Sequence, residues 1–74
     1  MEVWIKIETG NDAFVDNITP ETARILRELA DRIDGHPHFS DGHEQSLRDY
    51  NGNEVGFCGV YDIPQILIQR IHEN

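Results

Sequence analysis

The chain has 74 residues and sets 14 Asp and Glu against 6 Lys and Arg, for a net charge of −8. That length supports one domain, residues 1–74, with a thin core, and a lone cysteine, Cys58, excludes an intrachain disulfide. The acidic balance excludes an ordinary nucleic-acid-binding surface, because phosphate affinity comes from clustered Lys and Arg. It favours encounter with a basic surface on another protein, and it also has the plainer effect of keeping a small protein soluble.

The opening stretch MEVWIKIETG has too short an apolar run for a signal peptide. The later run IPQILIQRI falls well short of the roughly 20 apolar residues that span a bilayer. A cytoplasmic protein with no membrane partner is the expectation.

EVWIKIET alternates cleanly, with Val3, Ile5 and Ile7 on one side and Glu2, Trp4, Lys6 and Glu8 on the other. This is the pattern of a half-buried strand, and Trp4 on its polar side is the anomaly. The connection TGNDAFVDN follows, rich in turn formers yet holding Phe14. A thin core needs every apolar side chain, so Phe14 is expected to plug the core beside Ile18, which precedes the helix cap.

TPETARILRELADRIDG reads as a helix capped by Thr19, with Pro20 in its first turn, Glu21 at the positive end of the dipole and Gly35 as the stop. Ala23, Leu26, Ala30 and Ile33, with Ile25 and Leu29, make its apolar stripe. Arg24–Glu28, Arg27–Asp31 and Glu28–Arg32 are candidate ion pairs one turn apart.

Residues 36–45, HPHFSDGHEQ, have no periodicity and form a loop. The next stretch reads as a β-hairpin, with strands at 46–50 and 53–61 joined by a two-residue turn at Asn51-Gly52. Gly56 and Gly59 mark a bulge or a close backbone approach in the second strand. Asp62 could cap a short C-terminal helix, with Ile63, Leu67 and Ile71 on one face, although ILI also suits a strand. The expected fold is α+β: a small β-α-β-β module with a three-stranded sheet, one long helix packed on it, and a short C-terminal helix.

Three stretches, IKIETGNDAF, ARILRELADRI and LRDYNGNEVG, fall in that order over residues 5–56. Together they resemble a group of small acidic proteins encoded by phages and prophages, with the pattern TGN-AF, E-ARILR-LA-I, LRD-NGN-VG. The resemblance implies a small α+β module from a phage genome. Some similar proteins inhibit bacterial defence, anti-CRISPR proteins among them. The His-rich loop and everything after Gly56 depart from the pattern.

His36, His38 and His43, with Asp41 and Glu44, are chemically competent metal ligands, but they lack the cysteines of structural zinc sites, and a solvated polar loop explains them better, so no metal is expected. Cys58 sits between Phe57 and Gly59 in a strand, where cysteine packs as a small hydrophobe. The chain is also short of the positive charge that a reactive thiolate needs. No phosphate loop, nucleophile elbow or paired CxxC is present, so neither catalysis nor a cofactor is expected.

The remaining chemistry is acidic. Asp31, Asp34, Asp41 and Glu44 cluster around the second loop with Phe39 as an apolar anchor, and carboxylates so placed can imitate phosphates toward a basic groove. Ordinary turn chemistry accounts for part of that clustering. The expected partner is a bacterial defence protein or nucleic-acid-binding complex, without direct contact to nucleic acid. The competing expectation is an assembly protein that forms a homodimer through Trp4 on an open sheet face.

Overall fold

The computed structural model describes residues 1–36, 39–40 and 42–62. In chain order these form strand β1 (Glu2–Ile7), a single 3-10 turn (Asp12–Phe14), helix α1 (Ile18–Asp34), and strands β2 (Glu44–Arg48) and β3 (Glu54–Tyr61). The fold is α+β, as the alternation and helical spacing predict. The expected C-terminal helix falls in 63–74, outside the described residues.

The sheet order is β1-β3-β2, with β3 in the middle and antiparallel to both neighbours. β1 and β2 therefore run parallel, and α1 carries the chain from one edge of the sheet to the other. The helix lies over β2 and the 3-10 turn rather than over β1. Periodicity in one strand cannot reveal that lateral placement, and it changes the fate of β1. Ile7 packs against the core, whereas Val3 stays 55% exposed and Ile5 45% exposed on the helix side of the sheet.

The core joins Ala13 and Phe14 to Ile25 and Leu29 of α1, Leu47 of β2, and Val55 and Cys58 of β3. Phe14 is fully buried, so the TGNDAFVDN loop folds back as a plug. Its neighbour Ile18 is exposed and does not join it. α1 begins one residue before Thr19, with Asn17 at the cap position and its backbone carbonyl receiving the Glu21 N–H at 3.1 Å. Thr19 and Pro20 thus lie inside the first turn, where proline's missing N–H would have had no helical partner.

The buried face of α1 runs Glu21, Ile25, Leu29 and then the half-buried Ile33, while Leu26 and Ala30 look outward. A carboxylate completes the stripe at its N-terminal end. Arg24–Glu28 forms as expected. Arg27–Asp31 and Glu28–Arg32 do not close to ion-pair distance among the described residues, and Arg32 instead donates to the Ser46 carbonyl at 3.0 Å.

Val55 and Cys58 are three residues apart and would ordinarily face opposite sides of a strand. The register shifts between Leu47 and Arg48, so that Leu47 faces Gly56 while Arg48 faces Glu54. This bulge leaves Val55 unopposed and turns it into the same cluster as Cys58. The glycines in β3 are close approaches. A Cβ on Gly56 would run into the Lys6 carbonyl of β1, and one on Gly59 into the Tyr61 ring. Phe57 and Tyr61 form a second buried pair, edge to face with centroids 6.5 Å apart, on the side of the sheet that Trp4 shares.

Candidate functional site

The N-terminal end of α1 is a polar junction. Glu21 is 3% exposed and Asp49 4% exposed, and each carboxylate oxygen accepts at least one hydrogen bond. Arg24 grips Glu21 with Nε at 2.7 Å and Nη2 at 2.9 Å, and the Tyr50 backbone N–H donates to the same carboxylate at 2.9 Å. Asp49 accepts the backbone N–H groups of Asn51 and Asn53, both at 2.9 Å. It also takes side-chain amides from Asn11 at 2.7 Å and Asn53 at 3.3 Å. Asn11 in turn accepts the Ala13 N–H, shaping the 3-10 turn that delivers Phe14 to the core.

The hairpin connection differs from the expected two-residue turn. The Asp49 N–H donates to the Asn53 carbonyl, and its own carbonyl accepts the Gly52 N–H, both at 2.9 Å. The left-handed position falls on Gly52 (φ 86°), and Asn51 does not take positive φ. This is a three-residue connection organised by the Asp49 side chain, which captures the N–H groups two and four residues ahead.

The electrostatics follow from these bonds. Arg24, as charged hydrogen-bond donor, holds the Glu21 carboxyl below its ordinary value against the opposing effect of burial. For Asp49, burial pushes upward, but the donors from Asn53, Asn11 and Asn51 together outweigh it and the carboxyl is also lowered. Burial raises the Cys58 thiol, with Arg32 opposing. Cys58 is fully buried among apolar neighbours, the setting of an inert packing cysteine.

Of the residues singled out in the sequence, Asp31 and Asp34 lie at the opposite end of α1, whereas Glu44 is turned to the sheet face that Trp4 and Tyr61 share. Asp31 and Asp34 are exposed in the last turn, and Glu44 is exposed at the start of β2, where its Oε2 accepts the Tyr61 hydroxyl at 2.5 Å. Phe39 is half-buried against the core and edge-on to His43 at 5.2 Å, so part of its ring is already engaged within the molecule. His36 meets His43 at 4.3 Å between ring centroids, and His43 Nε2 lies 3.0 Å from the Gln45 amide. Asp41 and His38 lie outside the described residues. Among the described residues no three His, Cys, Asp or Glu side chains gather as a metal-binding group.

Between α1 and β2 runs an open groove of about 690 Å3, lined by Ile25, Glu28, Asp31, Arg32, Gly35, His36, Gln45, Ser46 and Arg48. Its charges are mixed, and its arginines are directed at backbone. Arg32 donates to the Ser46 carbonyl, and Arg48 to that of Gly52. Arg24 likewise reaches the Arg48 carbonyl, and Lys6 pairs with Glu8. Four of the described cations are thus used internally, and Arg27 stands exposed on α1. Glu21 and Asp49 are buried, while every other described acid is at the surface. No helix among the described residues is long and apolar enough to cross a membrane.

No family model matches the chain, and neither a curated protein nor a solved structure matches it.

Proposed function

We propose that this protein is a small non-catalytic inhibitor that binds a basic, nucleic-acid-binding surface of a bacterial protein and blocks it stoichiometrically. An anti-CRISPR or similar counter-defence protein is the concrete form, suggested by the phage resemblance. The observation that carries the reading is the division of charge. Among the described residues Lys6, Arg24, Arg32 and Arg48 are engaged with carbonyls or carboxylates and Arg27 stands exposed, so the net charge of −8 is expressed outward mainly by exposed acids. Such a surface attracts Arg and Lys arrays that otherwise hold phosphates, and the attraction weakens with salt. Asp31, Asp34 and Glu44 are the described residues assigned to the contact, with Asp41 from the same loop and the accessible part of Phe39.

Affinity capture from a nuclease-treated bacterial lysate, at low and high salt, tests the reading. A nucleic-acid-binding complex recovered at low salt and lost at high salt is expected. Recovery that ignores salt, or of a metabolic enzyme alone, would overturn it. Exposure of Trp4 favours a second reading, an assembly module that acts as a homodimer without inhibiting, and the capture separates the two, because only the inhibitor reading recovers a nucleic-acid-binding complex.

A further inference from the structure

The two edges of the sheet are finished differently. On β2 the outward carbonyls of Ser46 and Arg48 are taken by Arg32 at 3.0 Å and Arg24 at 3.1 Å, both from α1. Those guanidinium groups occupy the acceptors that another strand would need, one of the ways natural sheets blunt an edge.

Among the described residues β1 has no such cover. The Glu8 N–H donates to Val55 at 2.8 Å, which sets the phase of the ladder. Even-numbered residues of β1 direct their backbone groups at β3, and Val3, Ile5 and Ile7 direct theirs outward. Val3 and Ile5 are exposed on one side of this edge and Trp4, 41% exposed, on the other. Beside Trp4 lies a mainly apolar hollow of about 270 Å3 shared with Ile5, Lys6 and Phe57. α1 lies toward β2 and leaves Val3 and Ile5 of this edge exposed.

We propose that β1 pairs antiparallel with β1 of a second copy of this chain, joining the two sheets into one of six strands. Charge and pattern select the register. With Trp4 opposite Trp4 at the two-fold axis, Val3 faces Ile5 of the other copy, and Glu2 faces Lys6. Each of these pairings occurs twice by symmetry, and all are favourable cross-strand pairs. Sliding by one ladder step puts Ile5 opposite Ile5 and brings Glu2 against Glu8, a like-charge pair. The single lysine of β1 therefore selects one alignment, and a second copy supplies its complement. This dimer stands independently of the inhibitor reading.

Light scattering after size exclusion, with three variants, tests the proposal. The unmodified protein runs as a dimer at high micromolar concentration. Ile5→Pro removes an outward N–H that the internal ladder does not use, so it gives a monomer with unchanged circular dichroism. Glu2→Lys sets lysine against lysine and raises the dissociation constant by roughly tenfold, and Glu2→Lys with Lys6→Glu restores it. A monomeric unmodified protein, or a dimer that persists in folded Ile5→Pro, overturns the edge pairing. Failure of the double swap to restore what the single one loses overturns the register, and this arm still decides if Ile5→Pro does not fold.

Discussion

At the N-terminal end of α1, Glu21 and Asp49 are buried with all four oxygens hydrogen-bonded. At its C-terminal end, Asp31 and Asp34 stand in solvent, while the exposed Glu44 lies on the sheet face away from α1. The same side-chain chemistry builds the fold at one pole and leaves charge available at the other. What separates them is the supply of donors. The first pole gathers three asparagines, an arginine and a turn of free N–H groups, and a buried carboxylate is tolerable only when so surrounded. At the second pole the nearby arginine, Arg32, is directed at a backbone carbonyl.

Breaking the first pole should unfold the protein, and breaking the second should not. The largest effect is expected at Phe14, which the junction holds in the core. Phe14→Ala should cost about 3–5 kcal/mol, a large part of the stability of so small a domain, read from the urea midpoint. Next, Asp49→Asn keeps the shape of the side chain but sets an amide NH2 against donors. Its melting temperature should fall on the order of 10 °C, against a change within about 2 °C for Asp34→Asn.

The pH dependence separates the poles more finely. Glu21 and Asp49 have carboxyls lowered from ordinary values of 4.5 and 3.8, so the folded state binds fewer protons than the unfolded one at acid pH. Their contribution is complete at neutral pH. It declines as pH falls below those ordinary values and is gone once pH has passed below the lowered ones. Urea midpoints measured across this range should fall with acidity, and Glu21→Gln should flatten part of that slope. The smallest effect belongs to Asp31→Asn, Asp34→Asn and Glu44→Gln together. This variant should melt within a few degrees of the parent, slightly higher at low salt as self-repulsion is relieved.

The three stretches that suggested a phage family meet at the first pole: Asn11 from TGN, Glu21 and Arg24 from the helix, and Asp49, Asn51 and Asn53 from the hairpin. The strands, the helix and the plugging role of Phe14 were legible because alternation, helical spacing and a scarcity of apolar residues speak directly to burial. The junction was not legible, because Glu21 and Asp49 read by type as surface residues. Only the four-residue spacing of Glu21, Ile25, Leu29 and Ile33, and an Asp placed two residues before Asn51-Gly52, pointed inward. The exposure of Val3 and Ile5 was hidden for a different reason: alternation shows which residues share a side, not whether a helix lies above them.

The most direct test of the central claim is displacement. A labelled nucleic acid is bound to the captured partner, and its anisotropy is followed as the protein is added. The parent should release the label at a one-to-one ratio to binding sites, and the Asp31, Asp34 and Glu44 triple variant should need a large excess while melting like the parent. Equal displacement by both proteins, or a bound label that the parent never releases, would contradict the account.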